Sequence, residues 1–258
     1  HLFDALFEPQ HIIVIGASER PHSLGERVLS ALLSAPFQGK ITPVNLRHKS
    51  VGGLKAYPNL NRISEAADVA LILTPAASYE ALFKACHKKQ IRHVVLVQDW
   101  ENQSADALPQ AQAAIQSAAR LGLHITACTP AAIQVPANGL NSGIYPARLG
   151  AGNVAVISWH AATSTSILSV LSRAKLGLSR HISLQPGLGQ TCSAELLDAL
   201  DGDPLTRLVV LEYHPDEPLR DLFSAIRHLT RQKSVILHCT HHADEEEHGE
   251  GVLERERF

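Results

Sequence analysis

Little in this sequence marks it for a nucleic acid, a membrane or an oxidising compartment. Its 23 Lys and Arg residues face 25 Asp and Glu, a formal net charge of −2 over 258 residues. That balance gives no electrostatic case for nucleic acid or for an anionic lipid surface. The longest apolar stretch, from Val69 to Leu73 with its neighbours, is far too short to span a bilayer, and no signal peptide is read at the start. The cysteines, Cys86, Cys128, Cys192 and Cys239, form no CxxC pair. They are expected to be buried free thiols of a reducing compartment. A soluble, cytoplasmic protein is expected.

What is present is an ordinary globular composition, 45% hydrophobic and 19% charged. Short β-branched runs alternate with longer helical periods, the pattern of βαβ units and parallel sheets. Strands are expected at 11–15, 41–44, 68–73, 93–97 and 123–127. The helices between them include one with Leu24, Val28, Leu29, Leu32 and Leu33 on a single face. Residues 129–152 turn to proline, glycine and asparagine without periodicity. Alternation then restarts, with strands at 153–158, 180–184, 208–212 and 234–238. The fold class is α/β. A Rossmann-like domain over 1–130 is followed by a linker over 131–152, then by a flavodoxin-like domain over 153–258. Both domains are expected to carry parallel sheets.

The first strand ends in Gly16-Ala17-Ser18, and Gly25 lies at the start of the following helix. Backbone N–H groups and a helix N-terminus at this place favour a phosphate, although a glycine there also serves the turn alone. The second strand ends in Asn45-Leu46-Arg47-His48-Lys49, with no acid in reach. NAD would need a carboxylate at that point. Arg47 and Lys49 suit a phosphorylated ribose instead, in NADP or in coenzyme A, unless the loop is merely solvated. Thr74 and Pro75 close the next strand at the same edge.

Several stretches together resemble one family. Phe7 to Ser18, Phe37 to Asn45 and Gly53 to Pro58 are similar to the CoA-binding domain of NDP-forming acyl-CoA synthetases. Asn153 to Ser158, Ala194 to Asp198 and Asp203 to Arg207 resemble the succinyl-CoA-ligase-like domain that follows it there. The resemblance implies that Gly16, Ala17, Ser18 and Gly25 wrap the pyrophosphate of CoA or acetyl-CoA. It further implies that Asn45, Arg47 and Lys49 meet the nucleotide phosphates, and that Thr74 and Pro75 line the pantetheine channel.

The family's synthetases also use a phosphorylated histidine on a small-residue loop, a Ser-x-Ser-Gly turn and a glutamate at a strand end. Glu212 matches the glutamate, but the turn reads Ser158-Trp159-His160-Ala161-Ala162 and the GPN-type turn reads Ala127-Cys128-Thr129-Pro130. Ser158, His160 and Glu212 are therefore read as a vestigial phosphotransfer site, and no residue is assigned as catalytic. A replacement nucleophile at His160 is the minor reading beside a packing or surface histidine. The run His238-Cys239-Thr240-His241-His242, before the acids Asp244 to Glu247, is read as a solvated tail rather than a metal site.

The erosion favours a regulatory CoA- or acyl-CoA-binding region of a bacterial protein lysine acetyltransferase, its catalytic GNAT domain lying elsewhere. The alternative is part of an ADP-forming acyl-CoA synthetase with an ATP-grasp domain elsewhere, turning acyl-CoA, ADP and phosphate into acid, CoA and ATP. A third reading, an NADP-dependent oxidoreductase, lacks a catalytic Tyr-x-x-x-Lys and a second glycine in the turn. Association into a homo-oligomer is expected by analogy only.

Overall fold

The computed structural model describes residues 2–100, 103–144 and 149–239. The run at 240–242 and the acids after it lie outside these residues. A short helix α1 (Leu2–Phe7) leads into the first half: β1 (His11–Ile15), α2 (Leu24–Leu33) and β2 (Lys40–Val44), then the small hairpin β3 (Ser50–Val51) and β4 (Leu54–Lys55). It continues with β5 (Val69–Ile72), α3 (Tyr79–Lys88), β6 (His93–Val97), α4 (Ala107–Arg120) and β7 (His124–Val135). After β8 (Leu140–Asn141), the second half holds β9 (Ala151–Ser158), α5 (Ala161–Arg173), β10 (Leu178–Leu184) and α6 (Ser193–Asp201). It ends in β11 (Leu208–Tyr213), α7 (Leu219–Leu229) and β12 (Ser234–Cys239).

Every strand expected from the sequence is present, and the core strands are apolar because helices cover both faces of the sheet. All five residues of β1 and all four of β5 are buried. Helix α2 turns Val28, Leu29 and Leu32 inward, while Leu33 stays 40% exposed at the margin of that face. Tyr79 and Phe83, one turn apart on α3, stack with ring centroids 5.6 Å apart beneath the sheet.

The junction departs from expectation. The strands form one sheet in the order β12-β11-β9-β10-β7-β6-β5-β1-β2, not two separate ones. Strand β7 pairs parallel with β6 through 124–128 and then antiparallel with β10. Residues 131–135, assigned to a linker, are thus the buried end of a strand, and Leu140–Asn141 pairs back onto it. Small and β-branched residues let 131–135 bury itself, which the proline and glycine around it conceal. Between Cys128 and Ile133 the pairing bulges. Ala132 takes φ +43° there, and Thr129 donates its hydroxyl to Ser183 Oγ at 2.7 Å.

The cysteine expectation holds in part. All four thiols are free, with Cys86 and Cys128 buried, Cys192 half-buried and Cys239 exposed. Burial pushes the Cys86 thiol up to about 12. Among the described residues no helix is long and apolar enough to cross a membrane.

One buried cation ties α1 to the second half. Arg180 on β10 reaches Glu8 Oε1 at 2.7 Å and Asp203 Oδ2 at 3.1 Å, and its guanidinium lies over the Phe3 and Phe7 rings. Asp203 is itself buried, whereas Glu8 is more than half exposed, so removing the cation strands mainly Asp203. Arg180→Ala is expected to cost about 3 kcal/mol of stability, read as a lower urea midpoint at unchanged slope.

Candidate functional site

The first candidate site follows from a close approach of two turns. Gly16 leaves β1 at φ +92°, in the left-handed region, and a Cβ there would lie 2.9 Å from Thr74 Cγ2. At Gly25 a Cβ would stand 2.1 Å from the Gly16 carbonyl oxygen, so the first turn of α2 presses directly on the loop after β1. Ser23 caps that helix, its hydroxyl oxygen accepting the Glu26 N–H at 3.2 Å. This S-x-x-E pattern, absent from the expectations above, is a local signal that marks the helix start.

Asn45 follows β2 and holds three backbone groups at once. Its Nδ2 donates to the Ala17 carbonyl at 2.8 Å, and its Oδ1 accepts the N–H groups of Arg47 and His48 at 2.8 and 2.9 Å. The loop after β2 is thereby fastened to the glycine turn. On the other side, Thr74 shares a hydrogen bond with Ser78 at 2.7 Å, while Gln98 donates to the Thr74 carbonyl at 2.8 Å. Gln98 is buried, and burial holds the nearby Tyr79 hydroxyl far above its ordinary range.

These elements enclose a cleft of about 600 Å³ at the carboxyl edge of β1, β2 and β5. The structure gathers Gly16, Ala17, Ser18, Gly25, Asn45, Arg47, Thr74 and Pro75 around it. Lys49 is not among the residues that line it. The loop turns at Asn45, and Lys49 is carried away toward the hairpin, its carbonyl accepting the Ala56 N–H at 2.9 Å. The second cation at the cleft is Arg20 instead, whose N–H is held by Ser18 Oγ at 3.0 Å. Arg20 sits between turn residues, with no periodicity to single it out.

The rest of the lining is largely apolar, from Leu24, Leu60, Leu73 and Leu82, and Leu46 is 86% exposed beside Arg47. An exposed backbone turn, a helix N-terminus, two guanidinium groups and an apolar wall suit a ligand with phosphates at one end and a less polar arm at the other. No acid stands where an NAD ribose would need one.

The second cluster lies at the carboxyl edge of β9 and β11. Glu212 is fully buried, and its Oε2 accepts the N–H groups of Trp159 at 2.8 Å and of His160 at 3.2 Å. Its Oε1 meets His160 Nδ1 at 2.7 Å. Burial alone would raise this carboxyl, but these donors, with the Thr163 hydroxyl, hold it below the usual carboxylate range. The Trp159 indole donates to Ser193 Oγ at 3.2 Å, and His214 lies against both Trp159 and His160. Ser158 sits behind them, in a buried chain through Ser164 to His181 Nε2. Burial lowers His181 to about 3, so that imidazole is neutral.

Fold and cleft together define a doubly wound α/β protein with its cleft at the carboxyl edge of the strands. Residues 10–133 match the family model described as a CoA binding domain. The chain is 23% identical over 239 residues to the alpha subunit of acetate–CoA ligase [ADP-forming] I of Pyrococcus furiosus, covering 91% of this chain and 52% of that protein. To the alpha subunit of ligase II of the same organism it is 26% identical over 237 residues, covering 91% and 51%. Among solved structures, PH0766 from Pyrococcus horikoshii superposes with a TM-score of 0.83 at 25% identity, over 93% of this chain and 55% of that one. The apo form of dinucleotide-forming acetyl-coenzyme A synthetase 1 from Ca. Korarchaeum cryptofilum gives 0.83 at 24%, over 92% and 52%, a likeness of fold. The chain thus spans about half the length of these relatives. The family match bears out coenzyme A as the cofactor expected of the first half.

The lowered Glu212 carboxyl has a consequence for stability. Ionised Glu212 stabilises the fold above the ordinary carboxylate range, and that contribution is lost as pH falls through its lowered folded value. Glu212→Gln is expected to cost about 1–3 kcal/mol at pH 7. The gap from the parent protein should narrow below about pH 4, measured by urea unfolding across pH.

Proposed function

We propose that this chain is the CoA-binding part of an ADP-forming acyl-CoA synthetase, equivalent to the alpha subunit of the acetate–CoA ligases it resembles. The observation that carries the reading is the cleft at Gly16 and Gly25, flanked by Arg20 and Arg47. The fit to CoA rests on the bare turn, where side chains would collide with backbone. Gly16, Ala17, Ser18 and the first turn of α2 hold the pyrophosphate. Arg47 and Arg20 neutralise phosphate charge, and Thr74, Pro75 and Leu82 line the path of the pantetheine arm. Asn45 positions the loop and leaves the charge to Arg47. CoA brings a thiol to this cleft, and the chain's own residues bind and orient it.

The division into a CoA-binding half through residue 130 and a second α/β half from residue 153 belongs to the same reading. In the complete protein, an ATP-grasp partner, as a subunit or a further domain, would supply the nucleotide site. The lysine-acetyltransferase assignment gains no support: the relatives named above are acetate–CoA ligase subunits from an archaeon, and they lend none to a bacterial origin either.

Calorimetric titration tests the reading. CoA and acetyl-CoA are expected to bind, and NADPH is not. Arg47→Ala and Arg20→Ala should each weaken CoA roughly tenfold, the loss of a charge-assisted contact, while Lys49→Ala leaves affinity unchanged. Gly25→Val should abolish binding by forcing α2 off the turn. Equal binding of NADPH, or indifference to Arg47, would overturn the assignment.

A further inference from the structure

Helix α7 buries one face and leaves another open. Leu222, Ala225 and Leu229 pack into the same core as α1 and α6. Leu219 and Phe223, one turn apart, stay 47% and 57% exposed. At about 100° per residue, Arg220 and Arg227 fall beside them on the outward side of the helix, and both are exposed. Among the described residues neither guanidinium has a carboxylate partner. An exposed aromatic ring flanked by unpaired arginines is the composition that protein interfaces favour.

A groove of opposite charge lies between α1 and α6. It holds about 680 Å³, within the range of binding pockets. Phe3 and the 47% exposed Leu205 give it apolar surface, while Asp4, Glu8, Glu195 and Asp198 bring exposed carboxylates. Arg180 is the only cation in its lining, and it is buried and engaged by Glu8 and Asp203. Glu195 and Asp198, one turn apart on α6, have no cation partner among the described residues.

The two features share one side of the molecule. Asp201 meets His228 of α7 at 3.4 Å, so α7 flanks α6 on the side of Asp201. Ala199, which lines the groove, is roughly 160° around the helix from Asp201. The order across this face is therefore groove, α6, α7. We propose that the partner is a second copy of this chain, each copy docking its α7 in the groove of the other. Phe223 packs against Phe3 and Leu205, and Arg220 and Arg227 pair with Glu195 and Asp198. A two-fold axis beside α6 makes the two contacts identical and closes the assembly at two subunits. Neither surface includes a residue of the cleft at Gly16.

Sedimentation velocity on the whole chain tests this. A dimer is expected at low salt, its dissociation constant rising roughly tenfold as added salt screens the charge pairs. Arg220→Glu combined with Arg227→Glu should give a monomer. Glu195→Arg combined with Asp198→Arg should do the same, and so should Phe223→Asp alone. Mixing the two charge-reversed chains should restore a dimer with one copy of each, because both contacts then join opposite charges. That recovery separates a lost contact from a lost fold, and far-UV circular dichroism of each variant checks the fold independently. A parent chain monomeric at every concentration overturns the proposal and leaves the α7 face to a different polypeptide. A dimer that survives both reversals overturns it too, as does a mixture of folded variants that stays monomeric. Growth past two subunits overturns the two-fold arrangement.

Discussion

The antiparallel pairing of β7 with β10 is the constraint on which the rest depends. Strand β7 belongs to both halves, parallel to β6 at its start and antiparallel to β10 at its end. The Gln185 N–H donates to the Ala127 carbonyl and the Gln190 N–H to that of Ile125, which extends the contact past the end of β10. One continuous sheet therefore carries two sets of parallel strands running in opposite directions. Ligands in such folds gather at carboxyl ends of strands, so the two candidate sites face opposite ends of the sheet.

Each site uses the same local device, the start of the helix that follows a strand, and each treats it differently. At α2 the helix start carries only the Ser23 cap on the Glu26 N–H, and Gly16 and Gly25 let the first turn close on the loop after β1. At α5 the first donors are taken by the protein's own carboxylate, Glu212. At α6 the Ser193 N–H goes to Glu217 Oε1 at 2.6 Å, and burial raises that carboxyl above its usual range. A start without a carboxylate favours an external anion. A start occupied by a carboxylate becomes a holder for the side chain on that carboxylate's other oxygen, here His160.

Much of this was legible in the residues. Buried parallel strands read as unbroken apolar runs, and β1, β5, β6 and β9 were placed within a residue or two for that reason. The glycine turn pointed to a phosphate because its chemistry is local: Gly16 follows a strand and Gly25 opens a helix. The absence of an acid after β2 separated NAD from CoA by the same local logic. The reach of Lys49 and the part of Arg20 were not legible, since each depends on where a loop turns after Asn45 or Ser18. The role of 131–135 was hidden because its partner, β10, lies some fifty residues later in the chain.

The sequence by itself determined the order and type of the elements and the ligand chemistry of the first turn, because hydrophobic period, glycine and charge act over a few neighbouring residues. Tertiary structure alone decided that the halves share one sheet, which cations face the cleft, and that Glu212 grips His160 across 52 positions of chain. Those outcomes are contacts between distant segments. Their geometry is set by packing, which no local pattern encodes.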